Sequence, residues 1–211
     1  MTKALETILT SRIVAIVRLE RYDRAVEVAR ALLAGGISVI EFTLTGAGAN
    51  DAIAATRAAL GDAAQIGVGT VLDPAAAVAA IAAGAQFVVT PVVRPEVIAA
   101  CQARGTPILC GALTPTEALA AHDAGADLIK IFPARLGGPQ YIRDILAPLP
   151  HLRLVPTGGV SPENARAYLA AGAVAVGIGG NLVSKEAVAQ GDWGRMTAAA
   201  RACVEAVRGG G

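Results

Sequence analysis

A lysine stands at position 130 inside the apolar run LIKIF, and a glutamate at position 41 inside VIEFTL. Taking an ammonium or a carboxylate out of water is costly, so each must be paired, reaching for solvent, or kept for chemistry. A lysine in a dry pocket has a lowered pKa, because burial disfavours its charged form. The neutral amine can then attack a ketone and form a Schiff base, an electron sink for breaking or making a carbon–carbon bond. A nearby glutamate tuned toward working pH would carry protons for the carbinolamine and for the carbon next to the carbonyl. The plainer alternatives are a snorkelling or salt-bridged Lys130, and a Glu41 ion-paired to Arg18 or Lys130. One interior amine together with one interior acid says more than either residue alone.

Two glycine-rich segments, PTGGVSPEN and GIGGNLVSKEA, add a third element. Backbone N–H groups in such turns and at helix N-termini bind anions, so a phosphorylated or otherwise anionic small substrate is expected. Tight turns without a ligand are the alternative. Other chemistry has little support. The two histidines, His122 on a helical stretch and His151 in a loop, form no HxH or HExxH pattern, and no cysteine cluster offers metal-ligand spacing, so no metal site is expected. A carboxylate site for magnesium is the one metal option left open. Neither a GxSxG elbow nor a P-loop is present, and Tyr141 and Trp193 read as packing residues.

The elements that must position these residues repeat along the chain. LLAGGISVIEFTL, IAAGAQFVVTP, HDAGADLIKIFP and LAAGAVAVGIGG each join an alanine-rich helical stretch to a short β-branched run through a glycine. Extending the pattern predicts eight strands, near Ile13–Arg18, Ser38–Leu44, Gln65–Thr70, Gln86–Thr90, Pro107–Cys110, Asp127–Phe132, Leu152–Thr157 and Val174–Gly179. Helical spacing fills the intervals, as in DRAVEVARALLA, PAAAVAAIAA, RPEVIAACQA and TPTEALAAHDA. Asp73-Pro74, Thr114-Pro115 and Ser161-Pro162 read as helix starts. Short unalternated strands between helices imply a parallel sheet covered by helices, and eight units would close a (β/α)8 TIM barrel, an α/β fold. An open doubly wound sheet is the alternative, weakened by the lack of a GxGxxG after the first strand.

With 211 residues, 54% hydrophobic, the chain suffices for one sizeable core, and a single domain over residues 1–211 is expected. A net charge of +1 without a basic block argues against a nucleic-acid partner. No apolar run approaches the roughly 20 residues of a membrane span, so no membrane partner is expected. MTKALETILTSR lacks an apolar core with a cleavage site, which argues against secretion. Cys101, Cys110 and Cys203, scattered and without CxxC spacing, suit a reducing cytoplasm. The closing RGGG reads as frayed.

A TIM barrel keeps its active site at the C-terminal ends of its strands. That rule gathers Arg18, Glu41 and Thr43, Thr70, Thr90-Pro91, Lys130 and Thr157-Gly158-Gly159 from six strands. The glycine segments follow strands 7 and 8, where such barrels often hold phosphate.

At these residues the chain resembles the KDPG/KHG aldolase family, class I pyruvate aldolases that cleave 2-keto-3-deoxy-6-phosphogluconate. IVAIVR, GGISVIEFTL, GVGTVLDP, AGAQFVVTP, LIKIFPA, GPQYI and PTGGVSPEN occur in family order and cover nearly the whole chain. The resemblance implies a cofactor-free barrel, commonly a homotrimer, acting on a small 2-keto acid and an aldehyde, expected to be phosphorylated. It implies that Lys130 forms the imine and Glu41 is the general acid/base. Arg18 and Thr70 would hold the pyruvyl carboxylate or nearby oxygens, and Pro91 and Phe132 would wall the pocket. Thr157, Gly158 and Gly159, with Gly179 and Gly180, would lie along the distal hydroxyl and phosphate end. Two positions depart from the pattern. Many members have serine in the pair occupied here by Gly179-Gly180, and some gluconate-type members have arginine where this chain has Thr45. Both bear on the substrate: phosphogluconate, phosphogalactonate and hydroxy-oxoglutarate forms of the keto acid all stay open. So do an isomerase or epimerase of phosphosugars on the same barrel and a non-catalytic binding subunit.

Overall fold

The computed structural model describes residues 1–180 and 182–209; Gly210 and Gly211, in the closing glycine run, lie outside them. Eight strands alternate with helices: β1 (Ile13–Val17), β2 (Val39–Thr43), β3 (Gln65–Gly69), β4 (Val88–Val89), β5 (Ile108–Ala112), β6 (Leu128–Ile131), β7 (Leu154–Pro156) and β8 (Val176–Ile178). All pairings are parallel, in the order β7-β6-β5-β4-β3-β2-β1-β8. A bridge between Thr157 and Gly177, with the Val174 N–H donating to the Leu154 carbonyl at 3.0 Å, joins β7 to β8 and closes the barrel. The expected (β/α)8 barrel is the observed fold.

Ten α-helices surround it: α1 (Lys3–Ser11), α2 (Ala25–Ala34), α3 (Ala49–Leu60), α4 (Pro74–Ala82), α5 (Pro95–Gln102), α6 (Pro115–Asp123), α7 (Gly138–Leu146), α8 (Pro162–Ala170), α9 (Lys185–Gln190) and α10 (Trp193–Arg208). The glycine stops behave as the repeats predict. Gly36, Gly84, Gly125 and Gly172 take φ between +92° and +106°, a region closed to most residues with a Cβ. After each one, the next N–H reaches back five residues: Ile37 to Leu32, Ala85 to Ala80, Ala126 to Ala121 and Ala173 to Tyr168, at 2.9–3.2 Å. This Schellman closure satisfies a last-turn carbonyl and turns the chain into the following strand. At the other ends, Asp73 caps α4, and Thr114 with Glu117 forms a capping box on α6.

β4 is shorter than its expected span. The inter-strand hydrogen bonds nevertheless cover that span, from Gln86 N–H to the Ile66 carbonyl through Thr90 N–H to the Leu109 carbonyl. Thr90 also turns its hydroxyl sideways to the Val92 carbonyl and to the Gly111 N–H, ending the regular ladder early.

Two packing layers result. Residues such as Ile40, Phe42, Ile129 and Ile131 point outward and pack under the helices, while Val14, Val39, Phe87, Leu109, Leu128 and Val155 fill the N-terminal half of the barrel interior. The first helix was not foreseen from sequence. Capped by Thr2, α1 lays Ala4, Leu5 and Ile8 across the N-terminal opening and seals it. The last helix packs between α8 and α2, close enough that a Cβ on Gly35 would overlap Ala200. Ile8 is fully buried in the plug, so Ile8→Ala should cost about 2–5 kcal/mol of unfolding free energy, read as a lower urea midpoint with unchanged m-value.

Candidate active site

Period-2 geometry explains the two interior charges. In β6, Ile129 and Ile131 face the helices, which leaves Leu128 and Lys130 facing the barrel axis. In β2, Ile40 and Phe42 face outward, which leaves Val39 and Glu41 inside. Leu128 and Val39 belong to the apolar floor, and Lys130 and Glu41 stand one step above it. Both are buried, at 4% and 2% exposure. A run that reads as continuously apolar therefore hides one inward polar position without disturbing the helix-facing side.

The strand ends around them are fixed. The Tyr22 hydroxyl lies 3.0 Å from the Val17 carbonyl and 2.8 Å from that of Thr43, and accepts from the Thr43 N–H at 3.1 Å. One phenol thus ties the ends of β1 and β2. Its ring meets Phe42 edge-on at 5.5 Å. Several inward positions of this layer are glycine for steric reasons. A Cβ on Gly69 would overlap the Glu41 carboxylate, one on Gly177 would overlap the Thr157 hydroxyl, and one on Gly111 would overlap Pro91. Missing side chains on β3, β5 and β8 make the room that the polar groups occupy.

Glu41 and Lys130 are both buried in the barrel interior, within reach of each other's charge but not ion-paired, and Glu41 Oε1 has no hydrogen-bond partner among the described residues. Burial pushes the Glu41 carboxyl above its ordinary range, opposed by the charges of Lys130 and then Arg18. Burial likewise pulls the Lys130 ammonium below its ordinary range; Glu41 opposes that shift and Arg18 reinforces it. Both groups move toward their neutral forms. The Lys130 Nζ lies 5.2 Å from the centroid of the Phe132 ring.

A cavity of about 910 Å³ opens here, at the C-terminal ends of the strands. Its wall includes Arg18, Lys130, Phe132, Thr157, Gly158, Gly159, Gly179 and Gly180, eight of the residues singled out from sequence. Glu41, Thr70 and Pro91 are not part of that wall. Glu41 sits behind it, coupled to Lys130 and Arg18 through their charges. Pro91 stands against Gly111, half-buried. Thr70, also half-buried, takes φ +60°, an outlier for a β-branched residue and a strain of about 1–3 kcal/mol stored at the end of β3. The Thr157-Gly158-Gly159 turn needs its glycines, with φ +87° and +86°. Sequence reasoning passed over Arg135, which also lines the cavity, whereas Gly177 and Lys185 lie within the GIGGNLVSKEA segment it marked for anions and Ile16 within IVAIVR. Arg135 had one usable signal, its place just past the end of β6.

Among the described residues no group of three His, Cys, Asp or Glu side chains is placed to hold a metal ion. His122 and His151 meet edge to face at 4.9 Å, on α6 and in the loop before β7.

Parallel eightfold closure, with a cavity, a desolvated amine and a buried acid toward the strands' C-terminal ends, has the layout of a TIM-barrel enzyme. The chain belongs to the KDPG and KHG aldolase family, whose model matches residues 5–199, and is thus an aldolase, a carbon–carbon lyase. The KHG/KDPG aldolase of Escherichia coli strain K12 is 36% identical over 209 residues, covering 98% of this chain and 97% of that one. A 2-dehydro-3-deoxy-6-phosphogalactonate aldolase of the same organism is 35% identical over 171 residues, 81% of this chain and 83% of its own. Among solved structures, a KDPG aldolase from Legionella pneumophila, with pyruvate captured at low pH as a covalent carbinolamine intermediate, superposes with a TM-score of 0.89 at 29% identity. That likeness spans 96% of this chain and 98% of the other.

Lys130 holds its proton less firmly in the folded chain than in the unfolded one, so folding carries a penalty that is full below the depressed folded pKa and gone above 10.5. Lys130→Met should therefore raise the urea midpoint at pH 7, and that gain should shrink as the pH is raised toward 10.5. A midpoint at pH 7 equal to or below that of the parent chain would contradict a desolvated amine.

Proposed function

We propose that this chain is a class I pyruvate aldolase that cleaves 2-keto-3-deoxy-6-phosphogluconate, or a related 2-keto-4-hydroxy acid such as 4-hydroxy-2-oxoglutarate, working as one (β/α)8 domain over residues 1–211. The observation that carries this reading is the unpartnered, buried Glu41 Oε1 in the same barrel interior as the buried Lys130, each within reach of the other's charge.

The neutral Lys130 amine attacks the C2 carbonyl, and Glu41 delivers a proton to the oxygen, giving a carbinolamine. Loss of water leaves the protonated imine. Removal of the proton from the C4 hydroxyl lets the C3–C4 bond break; its electron pair moves into the imine and the aldehyde departs. The pyruvate enamine left behind takes a proton at C3 and is hydrolysed back to free lysine and pyruvate. Burial shifts both groups toward neutrality, in the direction that favours a nucleophilic amine and a proton-bearing acid. Arg18 holds the pyruvyl carboxylate, Phe132 walls the reacting carbons, and Thr157, Gly158, Gly159, Gly179 and Gly180 receive the distal end, while Thr70 and Pro91 stand outside the cavity wall and support it from the ends of β3 and β4. The covalent imine supplies the electron sink, so the mechanism calls for no resident cofactor.

The likeness to a phosphogalactonate aldolase makes the C4 epimer the second substrate reading. Homotrimeric assembly suits Leu72, Val92 and Leu136, large apolar side chains exposed in the loops after β3, β4 and β6. A cytoplasmic setting suits the three buried free cysteines, of which Cys101 and Cys203 are pushed up to about 11 by burial. No described helix is long and apolar enough to cross a membrane.

Pyruvate and borohydride should together leave a stable adduct on Lys130, located by peptide mass spectrometry; an unmodified lysine would reject imine chemistry and favour an isomerase or epimerase. Glu41→Gln should lower kcat by about 10²–10⁴ while the circular-dichroism melt is retained. Undiminished turnover would remove Glu41 from the mechanism.

A further inference from the structure

The cavity holds more positive charge than the imine chemistry uses. Besides Arg18 and Lys130, its wall contains Lys185 and Arg135. Lys185 is occupied: its Nζ lies 2.9 Å from Glu20 Oε1, another wall residue. The remaining wall carboxylate, Glu186, accepts from the Ser184 hydroxyl at 3.0 Å. Arg135 takes part in none of the ion pairs found among the described residues.

Its backbone, by contrast, is held firmly. The Ala134 N–H donates to the Thr157 carbonyl at 2.8 Å and the Arg135 N–H to the Gly158 carbonyl at 2.9 Å, zipping the exit of β6 to the exit of β7. The Arg135 Cβ fills the space where a Cβ on Gly159 would stand, so that glycine is needed for the arginine to root there as well as for its own φ. A fixed root leaves an exposed, unengaged guanidinium at the cavity wall, free to close on an anion there. Guanidinium presents a planar fork of donors that matches the oxygens of a phosphate, which a lysine's point charge does not. Lys130 faces the axis on β6 and Arg135 follows five positions later on the same exit, so a single segment supplies the imine-forming amine and a cation farther along the cavity wall.

We infer that Arg135 is the specificity-determining residue that receives the distal phosphate of the substrate. This rests on the aldolase reading, because it assumes a substrate with a keto acid at one end and a phosphate at the other. Arg135 takes no part in bond breaking.

Arg135→Gln should raise KM for 2-keto-3-deoxy-6-phosphogluconate by about 10- to 100-fold, the scale of a lost charged hydrogen-bond pair, with kcat changed by less than about threefold. For the unphosphorylated 2-keto-3-deoxygluconate, kcat/KM should stay within about twofold of the parent chain. Arg135→Lys should fall between, keeping charge and losing the fork. A KM for the phosphorylated substrate that Arg135→Gln leaves unchanged would overturn the inference, as would an equal loss with both substrates. Equilibrium binding of glycerol 3-phosphate, by calorimetry on the full chain, decides the matter apart from imine chemistry. Binding weakened about tenfold or more in Arg135→Gln supports the inference, and unchanged binding sinks it. Failure of borohydride trapping in the parent chain would sink the aldolase reading alone.

Discussion

Keeping Lys130 and Glu41 out of water in one barrel interior carries an electrostatic cost of several kcal/mol per ion, and their mutual attraction offsets only part of it. No ion pair joins them, and that separation matters. A tight pair would hold the lysine protonated and leave no nucleophile. At a distance, burial dominates and drives both groups toward neutrality, while each still steadies the charge the other acquires when a proton moves. The orphaned Glu41 Oε1 marks the same cost: a buried acceptor with no hydrogen-bond partner among the described residues.

The barrel meets this constraint by dividing its length. The N-terminal half of the interior is apolar and plugged by α1, with Leu5 and Ile8 against Phe87, Leu109 and Leu128. The C-terminal half gives up packing for space, through Gly69, Gly111 and Gly177 and through the strained Thr70. Stability at one end and chemistry at the other is the division expected of this fold. Here it is visible residue by residue, since neighbouring inward positions on the same strand, Leu128 then Lys130 and Val39 then Glu41, fall on opposite sides of the boundary.

Much of this was legible before any coordinates. Helix, glycine and strand recur so regularly that all eight strands were placed, and the four glycine stops took the left-handed backbone their position requires. Lys130 and Glu41 stood out because charge inside an apolar run violates the pattern around it. Other features carried no such mark. The α1 plug is a short amphipathic stretch whose partner surface is assembled from many strands. Nothing local marks the steric need for glycine at positions 69, 111 and 177, because the atoms they avoid belong to residues far away in sequence. Arg135 carried no local mark beyond its place just past the end of β6.

Local sequence therefore determined the elements, their parallel arrangement and which two strands carry an interior charge, since propensity, capping and periodicity act within a few residues. Only the closed barrel decided how far apart those two groups stand, which glycines clear space for them and which surplus cation faces the cavity. Each of these depends on distances between strands remote in the chain, and such distances exist only once β8 has met β1 and β7.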